Sequence, residues 1–354
     1  MKKLTLLLLV LVTTVVNAQL RNNDVYEEAE MNQANVREII RIPDIDGFYT
    51  LKCDFHIHTV FSDGSVWPTA RVNEAWNNGL DAIAITDHIE YRPYKDILSG
   101  DLNTSYNMAK ARGDEIGLIV IRGTEITREK PLGHLNALFI TDANPLDVKD
   151  PLVALDIAHQ QGAFIMWNHP GWPDDKSTKY EVHDKLIDEK KINGIEVFNH
   201  LEYYPISFDW CKDLDLAFMA NSDIHETISN TYGNKKNARP LTLVFAKERS
   251  DKGIKDALFQ GNCVAFFNGQ IAGKMELLTS LIRASLDIKV LNQDKNLVEI
   301  SNDSDIDYRF TLGERLILLP ANKVVRTTLP KEGKITVLNC YCGNNQCLEI
   351  KLPL

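Results

Sequence analysis

From residue 51 onward the apolar positions fall into short runs separated by longer amphipathic stretches. The runs are 51–57, 81–86, 118–122, 135–140, 163–167, 194–198, 216–220 and 241–246, and several are rich in Ile, Val and Phe. Short continuous apolar runs read as strands buried on both faces. Helical segments lie between them: 68–78 opens on Pro68 and stops at Gly79, 151–161 opens on Pro151 and stops at Gly162, and 252–260 stops at Gly261. Proline at the start and glycine past the end is the expected helix asymmetry. This alternation predicts an α/β fold with a mostly parallel sheet, and does not by itself say whether the sheet closes. After residue 273 the pattern changes. A connecting helix at 275–285 leads into 286–354, where polar and apolar residues alternate and Asp, Asn, Gly and Pro separate the segments. That predicts a small all-β domain of strands and hairpins. The expected organisation is a segment 1–18, an acidic arm 19–46, an α/β body 47–273, and a linker helix with a C-terminal β module at 274–354.

The first segment reads as a secretory signal peptide. Lys2 and Lys3 form a basic start, 4–16 is apolar apart from threonines, and Val16-Asn17-Ala18 is a small-x-small cleavage site before Gln19. The apolar run is shorter than the roughly 20 residues a membrane span needs. The expectation is an exported protein, periplasmic or secreted. Acidic residues outnumber basic ones by 49 to 39 among 354, and no Lys/Arg-rich run occurs. That argues against an electrostatic grip on nucleic acid or anionic membrane. Six cysteines would then meet an oxidising compartment. Cys53, Cys211 and Cys263 stand alone in apolar or mixed surroundings and read as buried thiols. Cys342 and Cys347 flank a turn and are candidates for a cross-strand disulfide, with a three-cysteine zinc site including Cys340 as a weaker alternative.

The chemistry lies in how His, Asp and Glu are placed. His56 and His58 end the first run, and residues two apart on a strand face the same side. Asp63 follows on a turn. Asp87 and His88 end the second run, Glu125 lies just past the third, His134 precedes the fourth, His169 ends the fifth, and Asp223 and His225 end the run at 216–220. In parallel α/β folds the carboxyl ends of the strands share one face, where sites gather. Nine N and O donors converging there exceed what one tetrahedral ion uses and suit two or three ions with a bridging carboxylate. His159 and His183 lie in helical segments and read as surface residues.

These residues also carry a resemblance. His56-x-His58, Ser62-Asp63-Gly64, Asp87-His88, Glu125, Gly133-His134, Asn168-His169-Pro170 and Ser222-Asp223-x-His225 resemble the motif set of the PHP (polymerase and histidinol phosphatase) superfamily. The resemblance spans about residues 47 to 268. The strings 53–93 and 239–250 further resemble bacterial phosphodiesterases of that superfamily that cleave organophosphate diesters. It implies a distorted (β/α)7 TIM-like barrel with a trinuclear metal site. By position, His56, His58, Glu125 and Asp223 would hold one ion. Glu125, His134 and His169 would hold a second, and Asp63, His88 and His225 a third. The narrower resemblance favours manganese, with zinc or iron as alternatives. The implied activity is hydrolysis of small phosphate diesters by a hydroxide bridging two ions. The alternatives are a histidinol-phosphatase-like monoesterase, hydrolysis of C–N or C–O bonds, or a non-enzymatic metal- or surface-binding protein. Outside the ligand set, Asp87 would orient an imidazole or cap the next segment. Arg92 and Arg128 follow ligand-bearing strand ends and are candidates for phosphate contact, with solvated surface roles equally open. His200, after another strand end, is a candidate general acid. Trp67, Trp167 and Trp172 would line an apolar pocket or belong to the core. Oligomeric state is left open by the sequence.

Overall fold

The computed structural model describes residues 36–174, 176–233, 239–330 and 332–352. The expected signal segment 1–18, and the arm as far as residue 35, lie outside the described residues. Each apolar run becomes a strand: β1 (Tyr49–Asp54), β2 (Ala82–Ile85), β3 (Ile119–Thr127), β4 (His134–Leu138), β5 (Phe164–Trp167), β6 (Gly194–Asn199), the short β7 (Glu202–Tyr203), β8 (Ala217–Asn221) and β9 (Leu241–Ala246). Strands β2, β5, β6, β8 and β9 are buried at every position, as continuous apolar runs require. Helices α1 (Pro68–Asn77), α2 (Thr104–Ile116), α3 (Pro151–Gln160), α4 (Glu181–Asp188), α5 (Pro205–Asp213), α6 (Ile228–Tyr232) and α7 (Asp251–Phe259) lie between them. Local chemistry starts several: the Asp150 side chain accepts from Leu152 N at 2.9 Å to cap α3, and Ser250 Oγ accepts from Gly253 N at 3.0 Å to cap α7.

The strands belong to one large mixed sheet in which β9, β1, β2, β3, β4, β5 and β6 are successive neighbours and β8 pairs with β6. The β1–β2, β2–β3, β5–β6 and β6–β8 pairs are parallel. The β3–β4, β4–β5 and β1–β9 pairs are antiparallel. Residues 128–133 between β3 and β4 are too few for a helical crossover, so the chain returns as a hairpin. The expected closed barrel is not met: the strand order of the sheet is open. Among the described residues, no ladder joins β8 to β9 or β1. One isolated parallel bridge, Ile57 with Ile224, and the Thr242 hydroxyl, which donates to Ala220 O at 2.9 Å, span that seam.

The C-terminal region is all-β after α8 (Met275–Ser285), as its alternation predicts. Strands β10 (Cys263–Phe267) and β11 (Gln270–Gly273) extend the large sheet beyond β9. Through a parallel β11–β17 pair it continues into β14 (Tyr308–Leu312), β15 (Arg315–Leu319), β17 (Gly333–Gly343) and β18 (Gln346–Leu352). Strands β12 (Leu286–Asn292), β13 (Leu297–Asn302) and β16 (Val324–Thr328) form a separate antiparallel sheet. The Cys342–Cys347 disulfide does not form, and all six cysteines are free thiols. Register shifts within β17 place Cys347 opposite Tyr341 and Gln346 opposite Gly343. Cys342 thus faces the other side of the ribbon.

Candidate metal centre

Sheet geometry brings the nine ligand candidates together. His56 and His58 continue β1, where Ile57 N donates to Thr86 Oγ1 at 2.9 Å and His58 N to Ile224 O at 3.1 Å. Glu125 is in β3, and its backbone bridges in parallel to His88 beyond β2. His134 opens β4, His169 follows β5, and Asp223 and His225 follow β8. Glu125, His56 and His58 are fully buried. His56 Nε2 lies 3.1 Å from His58 Nε2, 3.4 Å from Glu125 Oε2 and 3.2 Å from Asp223 Oδ1. Glu125 Oε1 lies 3.0 Å from His134 Nδ1 and 3.7 Å from His169 Nε2. Asp63 Oδ1 lies 3.2 Å from His225 Nε2 and 3.5 Å from His88 Nε2. Four overlapping groups place their donor atoms within 4.8 Å of one another: His58, Asp63, His88 and His225; His56, His58 and Glu125; His56, His169 and Asp223; and Glu125, His134 and His169. His58 joins the Asp63 group as well, an overlap the sequence did not suggest.

The donors fit divalent ions. Among the described residues, Asp63 Oδ1, Glu125 Oε2 and His169 Nδ1 are buried without a hydrogen-bond partner, although buried polar atoms nearly always have one. Electrostatics agree. Burial would raise the carboxyls of Glu125 and Asp223, yet neighbouring imidazoles, His88 and His56 around Glu125 and His56 and His58 around Asp223, hold both well below the carboxylate range. Burial also works against charge on His88, but Glu125 and then Asp63 carry it up to about 9. Burial, reinforced by His88 and His225, pushes His58 down to about 3. Without metal, protons on some imidazoles balance the carboxylates while others stay neutral.

A second tier of residues holds the candidate ligands in place, and the sequence revealed only part of it. Asp87 accepts from Thr59 N at 2.7 Å, Thr59 Oγ1 at 2.8 Å and Ser62 Oγ at 2.7 Å, and Ser62 Oγ lies 3.3 Å from His58 Nδ1. It thus orients an imidazole through a hydroxyl. Asn168 Nδ2 donates to Glu125 Oε1 at 2.8 Å. Glu196, in the middle of β6, was missed. Its fully buried carboxylate receives His56 Nδ1 at 3.0 Å, Asn221 Nδ2 at 3.0 Å, His169 N at 2.9 Å and Asn199 Nδ2 at 2.7 Å. The signal available was a lone acid inside an apolar run. Arg71 of α1 was also missed. It is buried and donates to the carbonyls of His58, Ile224, His225 and Glu226 at 2.6–3.1 Å, fixing two ligand-bearing loops from behind.

Other expectations land elsewhere. Arg92 pairs with Asp147 at 3.2 Å, and Arg128 with Glu90 and the carbonyls of Thr127 and Val148; neither lines the cleft above the cluster. His200 does line it, outside the four ligand groups, its backbone held by Asn221 O and the Tyr232 hydroxyl. Trp167 is core, Trp67 is half-exposed away from the cleft, and Trp172 is 60 % exposed at the cleft. His159 is exposed as expected. His183 is a correction. It is buried, stacked on Trp167 at 3.8 Å between ring centroids, with Nε2 2.8 Å from Leu132 O. An imidazole on the inner face of α4 packs on an aromatic more favourably than it faces water.

The cleft has a volume of about 710 Å³, and Asp63, Glu125 and Asp223 are among the residues that line it. Among the described residues, nothing beyond His225 lines it, so the C-terminal strands do not cover its mouth. Among the described residues, no helix is long and apolar enough to cross a membrane.

A PHP domain model matches residues 54–211. A Bacteroides vulgatus crystal structure, of a two-domain protein containing a predicted PHP-like metal-dependent phosphoesterase, superposes with a TM-score of 0.86 at 37% identity. The match covers 91% of this chain and 100% of that one. A putative metal-dependent phosphoesterase from Bifidobacterium adolescentis matches at 18% identity and a TM-score of 0.39, over 59% of this chain and 96% of that one. An uncharacterised protein of Methanocaldococcus jannaschii is 38% identical over 81 residues, 23% of this chain, and the chain spans about a third (36%) of that relative's length. With the motif residues gathered in one buried cluster and a homologue matched over its whole length, the chain belongs to the PHP family of metal-dependent phosphoesterases.

Proposed function

We propose that the protein is an exported phosphodiesterase. The observation that carries the diester reading is the charge of the cleft: among the described residues that line it there is no lysine or arginine. A phosphomonoester arrives as a dianion and calls for cationic side chains beyond the metal centre. A diester carries one charge and a second ester group, which the exposed rings of Tyr91 and Trp172 at the cleft can cover. The four ligand groups would hold two or three divalent ions, and the mixed N and O donors suit manganese, zinc or iron. Such ions, when bound, polarise phosphoryl oxygens and lower the pKa of water.

The chain's own residues supply positioning. Glu196 and Asp87 hold imidazoles in orientation, and Asn168 fixes Glu125. In hydrolysis the oxygen of water bonds to phosphorus, the P–O ester bond breaks and the departing oxygen takes a proton. His200 is the cleft imidazole outside the ligand groups, and we assign that proton to it. Export rests on the basic, apolar and small-x-small pattern of residues 1–18.

The test is turnover of bis(p-nitrophenyl) phosphate against p-nitrophenyl phosphate with manganese, zinc or iron(II) supplied in turn, and Asp223→Asn as control. Faster diester hydrolysis that Asp223→Asn abolishes is expected. Dominant monoester hydrolysis would overturn the diester reading in favour of a histidinol-phosphatase-like one. Sequencing the exported product should give Gln19 first; a retained residue 1 would refute cleavage.

A further inference from the structure

Away from its metal-binding floor, the cleft carries two more carboxylates, Glu129 and Glu202. Both are exposed, and among the described residues no lysine or arginine lines the cleft beside them. The nearby cations are engaged elsewhere: Arg128 with Glu90, Arg92 with Asp147, and Lys130 with Asp174. Metal ions at the floor would offset Asp63, Glu125 and Asp223, but not these two.

An aromatic face stands between the segments that bear them. Trp172 N donates to His169 O at 2.9 Å, which sets the indole one turn from a candidate ligand. The preceding Gly171 packs flat on Tyr204, where a Cβ would come within 2.8 Å of Cε1. The Tyr204 hydroxyl in turn donates to Glu202 Oε2 at 2.9 Å. On the other side Gly133, whose N–H donates to Glu129 O at 3.3 Å, packs against Trp172, 3.5 Å from its carbonyl oxygen to a Cβ position. The Trp172 backbone thus sits between the Glu202 and Glu129 segments, and the residue leaves 60 % of its surface open. The exposed indole lines the same cleft as both carboxylates.

We propose that Trp172, flanked by Glu202 and Glu129, is a subsite for an ammonium group on the alcohol of the substrate, so that the preferred substrates are zwitterionic phosphodiesters. This rests on the diester reading above. A cation gains from the face of an indole and from both carboxylates. An anionic head group at the same place is repelled, and a neutral one gains only apolar contact.

The test separates charge from shape. Metal-loaded protein is given p-nitrophenyl phosphorylcholine and its uncharged isostere, p-nitrophenyl 3,3-dimethylbutyl phosphate. The choline ester is expected to have a kcat/KM about ten-fold higher. That ratio should shrink as salt rises and fall toward one in Trp172→Ala and in Glu202→Gln. A ratio at or below one in the wild type overturns the subsite. Hydrolysis of p-nitrophenyl phosphate with neither diester cleaved overturns the diester reading instead. In that case, or if no ester is cleaved, calorimetry with glycerophosphocholine and its 3,3-dimethylbutyl counterpart decides the subsite. Tighter binding of the cation supports it, and equal or weaker binding refutes it.

Discussion

Replacing Glu196 by glutamine changes one charge in a side chain whose four polar neighbours are all donors. Oε1 receives His56 Nδ1 and Asn221 Nδ2, each at 3.0 Å, and Oε2 receives His169 N at 2.9 Å and Asn199 Nδ2 at 2.7 Å. Glutamine must turn its NH2 toward one of these pairs. At the Oε2 position it meets the His169 backbone N–H, which cannot reverse. At the Oε1 position it meets the Asn221 amide, which is locked because its Oδ1 accepts from Phe55 N at 2.8 Å. There His56 adapts only by moving its proton to Nε2, the nitrogen that faces His58, Glu125 and Asp223. Either choice leaves at least one buried donor unpaired, at roughly 1–3 kcal/mol, and the second also blocks a ligand nitrogen. Glu196→Gln should therefore lower metal affinity about 10–100-fold, or ~1.4–2.8 kcal/mol. The assay is metal content after dialysis against a chelator of known affinity. Melting of both proteins in excess chelator checks that the fold survives. A folded Glu196→Gln with wild-type metal content and affinity would refute the reasoning.

Three further outcomes follow from the same network. Arg71→Met keeps the buried stem but strips four backbone carbonyls and Glu74 of their donor; it should destabilise the protein by about 3–5 kcal/mol, and a midpoint shift in urea below ~1 kcal/mol would contradict this. In metal-free protein His88 sits at about 9 against its ordinary 6.5, so its contribution to stability is complete below 6.5 and is lost as pH rises through 9. The melting temperature of the metal-free form should fall across that window, and His88→Gln should flatten the fall; an unchanged slope would show the assignment to be mistaken. Burial raises the thiols of Cys53, Cys211 and Cys263, the last to about 12. Iodoacetamide at neutral pH should leave these three unmodified in the native protein while the half-buried Cys347 reacts first, as peptide mass spectrometry would show.

The candidate ligands were legible in the sequence because most of them lie at or just past strand ends inside short local strings. An apolar run that stops on His or Asp announces both the strand and the group it delivers. What was hidden depends on partners remote in sequence. Glu196 lies within a run that reads as strand interior, and its partners come from β1, β5 and β8. A charged residue on a strand buried on both faces must be paired, but its partner is visible only in three dimensions. His183 misled for the opposite reason: helical spacing does not say which side of α4 meets Trp167. The cysteine pair failed on register, since a shift within β17 turns Cys342 away from Cys347. Closure of the sheet was equally invisible, because it depends on whether β8 and β9 pair backbone to backbone, and here the Thr242 hydroxyl accepts from Ala220 N and donates to Ala220 O in place of a ladder.

These hidden partners share one task, which explains why the fold spends buried charge there. Strand ends are where regular backbone pairing stops, and His169 and Asp223 leave it with φ of 22° and 49°. Each such departure costs on the order of 1–3 kcal/mol and persists only if the surroundings impose it. Glu196 imposes it on His169 through the backbone N–H. For Asp223 the work falls to its neighbours. Ser222 N and Oγ donate to Asp54 at 3.1 and 2.5 Å, Arg239 pairs with the same carboxylate, and Arg71 takes the carbonyls of Ile224 and His225. In the absence of metal, burial, with His88 and His225 beside it, keeps His58 uncharged while other imidazoles balance the carboxylates. A rigid second tier keeps them converged, so that an arriving ion meets a site already in shape and the free energy of binding is not consumed in building it.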